Sequence, residues 1–143
     1  MGTVAIVISL AAVAYSIDRN TKELSSASIT DLYDSVREID LIVLADPDLT
    51  RIVDFDALSV ADLSETDRLR YQWYVVMMLE IWDKTVVREN DGLMEEEAAM
   101  LVHQYFGDFV RRYLTKEMWR EIRWQWTTPE FLQRVDDALE TAG

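Results

Sequence analysis

SETDRLRYQWYVVMMLEIWDKTVVRENDG, residues 64–92, is the stretch whose reading decides the fold. Ser64 stands three residues before Asp67, the spacing at which a hydroxyl can cap a helix opening, and Asn90-Asp91-Gly92 supplies a turn at the far end. Nothing between them breaks a helix, so the pattern predicts one from Ser64 to about Glu89. Its centre, Trp73 to Leu79 (WYVVMML), is apolar on every face. A helix with no polar side has neighbours all round, so it is predicted to be the central helix of a bundle, with Trp73 and Trp82 in the core.

Outward toward the C-terminus, Glu95, Glu96 and Glu97 favour the positive end of a further helix, and Arg111 and Arg112 favour its negative end. Ala98, Val102, Tyr105 and Phe109 form its apolar stripe. Thr115 can cap a next element with Trp119, Ile122 and Trp126 on one face. Thr128-Pro129 pairs a cap with a proline at the first helical position and opens a last helix with Phe131, Val135 and Leu139 inward.

Outward toward the N-terminus, residues 46–63 read as a short helix and connections rich in acids. Before them, Leu32, Val36, Ile39 and Val43 recur at spacings of 4, 3 and 4, an amphipathic seam that Asp46-Pro47 closes. Ahead of that seam lies VAIVISLAAVAYSIDRN, residues 4–20. With Met1-Gly2-Thr3 the uncharged run is 17 residues, about 25 Å of helix and the short end of what crosses a bilayer. No Lys or Arg precedes the run, as a cleaved leader would require, although Ala12-Val13-Ala14 has the small-x-small cleavage pattern. The expectation is a membrane anchor contacting lipid through Val4, Ile6, Ile8, Leu10, Val13, Tyr15 and Ile17. Arg19 and Lys22 follow it, which places the remainder of the chain in the cytoplasm by the positive-inside tendency.

Composition agrees with helices. The 143 residues include four Gly and two Pro, too few for turn-rich β architecture or a phosphate-cradling Gly loop. The absence of Cys excludes disulfides, thiolate metal sites and a thiol nucleophile. A net charge of −13 repels the phosphate backbone and argues against nucleic-acid binding. The charge is uneven: residues 38–67 hold nine acids against Arg51 alone, whereas residues 111–126, RRYLTKEMWREIRWQW, hold five basic side chains against two acids.

No catalytic constellation emerges. His103 is the only histidine; alone on a helix it is expected to be structural, and Met100 stands three residues before it where a di-metal carboxylate motif needs Glu. Asp54, Asp56, Asp62 and Glu65 match positions 1, 3, 9 and 12 of a calcium loop, but Leu58 and Ser59 occupy positions 5 and 6, where a ligand and Gly belong. The acids read better as caps and a solvated face. No nucleophile elbow or Walker-type loop is present. The expectation is therefore no enzyme activity, no catalytic, cofactor or metal site, and no small-molecule substrate.

The basic, Trp-rich island carries the remaining signal. Trp119 and Trp126 share a helix face that Trp124 does not, and Arg120 and Arg123 interleave them. Trp119, Arg120, Arg123, Trp124 and Trp126 form a candidate contact with a membrane surface or a partner. The competing expectation has the Trp rings closing the bundle while the arginines pair with the acidic tract.

The LADPDL break, RLRYQWYVVMMLEIWD, the DGLMEEE turn and TTPEFLQRVDDAL, behind a hydrophobic N-terminus, together resemble a loose family of uncharacterised bacterial membrane-anchored helical proteins. The resemblance implies an anchored α domain and no catalytic residues. The expectation is thus an all-α protein, with an N-terminal single transmembrane helix (1–20), an amphipathic continuation (21–45) and an acidic bundle of four or five helices (46–143). It would sit single-pass in the bacterial inner membrane and bind the lipid bilayer and integral membrane proteins. There it would serve as a non-catalytic accessory or scaffold subunit of a larger complex, for instance a photosynthetic or respiratory one. The alternative is a stand-alone regulatory or signalling adaptor that recruits a cytosolic partner.

Overall fold

Ser64 Oγ accepts from the Asp67 backbone N–H at 3.2 Å and opens the long helix that the sequence places there. At its other end Gly92, with φ of +69°, occupies the left-handed region that favours glycine. Gly92 N–H donates to Glu89 O and Leu93 N–H to Arg88 O, each at 2.9 Å, and this pair satisfies the last helix carbonyls.

The structure is a computed structural model. It describes the backbone of residues 2–54 and 60–141; before Ile29 it describes the side chains of Ser16, Arg19, Asn20, Lys22, Glu23, Ser26 and Ala27. The described residues form α1 (Gly2–Ala45), α2 (Pro47–Val53), α3 (Glu65–Asn90), α4 (Glu96–Tyr113), α5 (Lys116–Ile122) and α6 (Pro129–Glu140), with 3₁₀ turns at Val60–Asp62 and Arg123–Gln125 and no strand. The protein is all-α. No helix among the described residues is long and apolar enough to cross a membrane. The side chains on which an anchor would rest, Val4, Ile6, Ile8, Leu10, Val13, Tyr15 and Ile17, lie outside the described residues.

α3 is the hub, packed against α1, α2, α4 and α6. Its run of apolar residues does not bury on every face, however. Tyr74, Val75, Val76, Met78 and Leu79 are buried, while Trp73 is 64% exposed. Leu69, Trp73, Glu80, Lys84 and Val87 are all exposed and recur at helical spacing, so α3 keeps one narrow solvent stripe and Trp73 falls on it.

The α1 seam packs as its spacing predicts, with Leu32, Ile39 and Val43 buried and Val36 partly so. Asp46 then ends α1 and caps α2, its Oδ1 accepting from the N–H groups of Asp48 and Leu49 at 3.0 and 3.2 Å. Two ion pairs set direction: Asp31 of α1 meets Arg88 near the end of α3 at 3.3 Å, and Arg51 of α2 meets Asp67 at its start at 3.0 Å. α1 and α3 are antiparallel, so the chain before Asp31 has no further length of α3 to pack on.

Aromatic rings close the core where α3, α4, α5 and α6 converge. Trp82 stacks on Phe106 at 5.8 Å between ring centroids and meets Phe131 edge-on at 5.7 Å. Phe131, Val135 and Leu139 of α6 are buried, as their spacing requires. Removing each such side chain from water contributes about 1.5–3 kcal/mol.

Candidate docking groove

In α4 the sequence stripe and the buried stripe differ. Ala99, Phe106, Phe109 and Val110 are buried, whereas Ala98 and Val102 are half-buried and Tyr105 is 50% exposed. α4 packs on both α3 and α6, which draws its buried arc one residue away from the Ala98–Val102–Tyr105 line. That displaced line faces α1 across an open space.

The space is a groove of about 550 Å³, walled by Ile29, Leu32, Tyr33, Val36 and Asp40 of α1 and by Ala98, Leu101, Val102, Tyr105 and Phe106 of α4. Its floor is apolar, because both helices direct amphipathic seams toward it. Tyr33 and Leu101 stand on its rim, 69% and 59% exposed. Among the described residues Asp40 is the one charged residue in the lining. Burial pushes the Tyr105 hydroxyl above the ordinary tyrosine pKa, and the charge of Asp40 adds to the shift. Burial does the same to Tyr74, again with a contribution from Asp40.

The Trp-rich island divides. Trp119 and Trp126 are 3% and 7% exposed and pack on Phe131, so neither is available to a membrane or partner. Their shared face is the inner face of α5 and the turn that follows it. Trp119 Nε1 donates to Asp136 Oδ1 at 2.6 Å, and Arg123 reaches Asp136 Oδ2 at 3.4 Å. The arginine thus pairs with α6 and not with the acidic tract. What remains at the surface is Arg120, Arg123 and Trp124, the last 77% exposed. Gln125 lies in a small depression with Leu69 and Trp73, which sets these residues about 22 Å along α3 from Arg88, at the end remote from Asp31.

The lone histidine sits in a polar strut. Trp82 Nε1 donates to His103 Nδ1 at 2.8 Å, and His103 Nε2 lies 2.7 Å from Glu89 Oε2, which also accepts from Arg134 at 3.0 Å. The strut ties α3, α4 and α6. Both imidazole nitrogens are engaged, so neither is presented to a substrate. Burial lowers the His103 pKa against the opposing effect of its Glu89 hydrogen bond.

Among the described residues no group of three acidic or histidine side chains could hold a metal. Asp56, Leu58 and Ser59 of the calcium-loop count lie outside them. Sequence reasoning names neither the groove nor the strut. The signal for the groove is the α4 stripe, whose apolar residues read as core; the strut joins residues on three helices and has no local signature. The chain matches no family model, no curated protein and no solved structure.

Proposed function

We propose that this chain is a membrane-anchored, non-catalytic accessory or scaffold subunit of a larger bacterial membrane assembly, in keeping with the family it resembles. The observation that carries the reading is α1 itself. It is one unbroken helix over Gly2–Ala45, and among its described side chains those that line the groove or enter the core run from Ile29 onward. The Asp31–Arg88 pair marks where α3 ends against it. On this reading the uncharged run before Asp18 is the part of the helix that continues past the bundle, with exposed Arg19, Asn20, Lys22 and Glu23 between the two.

In this arrangement the run enters the bilayer, Arg19 and Lys22 stay on the cytoplasmic side, and the acidic bundle stands off the membrane. Arg120, Arg123 and Trp124 then face away from the lipid, which favours a protein partner for them over the headgroup layer. The apolar groove with Asp40 in its lining supports a second reading, a stand-alone adaptor that recruits a cytosolic protein. Extraction with alkaline carbonate tests the anchor: the chain stays with the membrane pellet, and release into the supernatant overturns it. Mild solubilisation separates the two readings, since an accessory subunit co-purifies in fixed stoichiometry and an adaptor emerges as a free monomer.

A further inference from the structure

The α1–α4 groove is an apolar channel that the described residues leave open, and its surroundings specify the charge of what fills it. Residues 29–41 and 95–108, which contain both walls, carry eight carboxylates against one guanidinium, that of Arg37. Among these eight, Asp31 pairs with Arg88 and Asp108 with Arg111. Asp40 lies in the lining itself. An apolar occupant with acidic or neutral flanks would bring no counter-charge to these carboxylates, and an acidic one would meet repulsion.

The shape specifies the rest. The α1 wall from Ile29 to Asp40 is about 17 Å long, three turns of helix. Its walls are themselves two helices, so a third helix laid between them completes an amphipathic three-helix packing, with apolar anchors at spacings of three and four residues. Tyr33 and Tyr105, both partly exposed, offer flat rings that each carry a hydroxyl, side chains suited to a contact that is apolar at its centre and polar at its edge.

We infer that the groove between α1 and α4 is the docking site for a basic amphipathic helix of a partner protein, its apolar face against Leu32, Val36, Leu101 and Val102 and a Lys or Arg on Asp40. The inference rests on reading the chain as a binding subunit, and it supplies that reading with the chemistry of a partner.

The probe is a fluorescein-labelled Leu/Lys amphipathic peptide of about four turns, with a Leu/Glu peptide of the same pattern as counterpart, titrated by anisotropy against the full chain in phosphatidylcholine nanodiscs with empty discs as blank. The chain has no cysteine, so Leu101→Cys places a single thiol on the exposed groove rim, and alkylation with a bulky aromatic maleimide fills the groove without entering the core. Gln133→Cys on exposed α6, alkylated identically, is the control.

The expected result is binding of the Leu/Lys peptide that weakens by at least about tenfold when Leu101→Cys is capped and is unchanged when Gln133→Cys is capped. Asp40→Asn should weaken it less, and the Leu/Glu peptide should not compete. Equal binding of both peptides, binding indifferent to the Leu101→Cys cap, or no binding would each overturn the proposal. So would a dimer of the chain that the cap dissolves, which would give the groove to a second copy. Peptide binding lost in a chain that still resists carbonate extraction sinks the groove alone; carbonate release with peptide binding intact sinks the anchor alone.

Discussion

Trp82 on α3 donates its indole N–H to His103 Nδ1 on α4 at 2.8 Å, which fixes the imidazole proton on Nε2, 2.7 Å from Glu89 Oε2. Protonating His103 would place a proton on the nitrogen that already accepts from Trp82, and the cation would sit in a largely buried position near Arg134. The folded-state pKa therefore lies below its ordinary value of 6.5. Between the two values the unfolded chain holds a proton that the folded chain refuses, so stability rises with pH through this window. Urea unfolding should show a midpoint that is steady above neutrality and falls as pH drops through 6.5 toward the lowered value. His103→Leu should flatten that slope and, by leaving the Trp82 N–H without an acceptor, cost about 1–3 kcal/mol above neutrality, the difference narrowing as pH falls through the window.

The three tryptophans of the island should separate by their effect on stability. Trp119 and Trp126 are buried and their rings lie 5.7 Å apart, whereas Trp124 faces solvent. Trp119→Ala should cost about 3–5 kcal/mol, as loss of a large buried ring does. Trp124→Ala should change stability by no more than about 0.5 kcal/mol. A Trp124→Ala, Arg123→Glu chain that loses a native partner while unfolding near the wild-type midpoint would identify that corner as a contact surface. A fall in both would assign it to folding.

Much of the architecture was legible because it is written locally. Ser64, Asp46 with Pro47, Thr115 and Asp91 with Gly92 end or start helices within a few residues of themselves, and each does so in the structure. The seams Leu32–Ile39–Val43 and Phe131–Val135–Leu139 are buried because a single packed face has one period. Trp73 was not legible: a wholly apolar run does not say which of its faces meets water, and that is decided by where α1, α4 and α6 lie around α3. The same tertiary cause turned α4, so that Ala98, Val102 and Tyr105 line a groove, with Val102 at the margin of the core. The partners of His103 and Asp136 come from other helices, and pairings across the fold leave no mark on sequence spacing.

Helix caps offer a graded test of these local signals. Ser64 Oγ accepts from Asp67 N–H at 3.2 Å and Thr115 Oγ1 from Met118 N–H at 3.0 Å, while Thr128, at the same position of α6, makes no side-chain cap bond. Ser64→Ala and Thr115→Ala should each lower stability by about 1 kcal/mol. Thr128→Ala should cost only a few tenths of that, because Pro129 already preorganises the first turn and no hydroxyl bond is lost. Thermal unfolding followed by circular dichroism would rank the three, and an equal loss for Thr128→Ala would show that its hydroxyl caps in solution.

The continuity of α1 can be tested by breaking it at two places. Proline inside a helix removes one hydrogen bond and clashes with the carbonyl four residues back, at a cost of about 3 kcal/mol. Ser35 lies between Leu32 and Ile39, which are buried in the bundle, so a break there disturbs packed residues. Ser26 is exposed and precedes Leu32, the first buried residue among the described side chains of α1. Ser35→Pro should therefore lower the stability of the bundle by about 3 kcal/mol, and Ser26→Pro should leave its unfolding midpoint unchanged. The Ser26→Pro chain should still resist carbonate extraction, since the apolar run is intact. What it should lose is alignment: a spin label at Ser16→Cys and another at Gln133→Cys would report a sharp distance distribution in the parent chain and a broad one after the break. A distribution already broad in the parent would mean that α1 does not hold the bundle at a fixed height above the membrane.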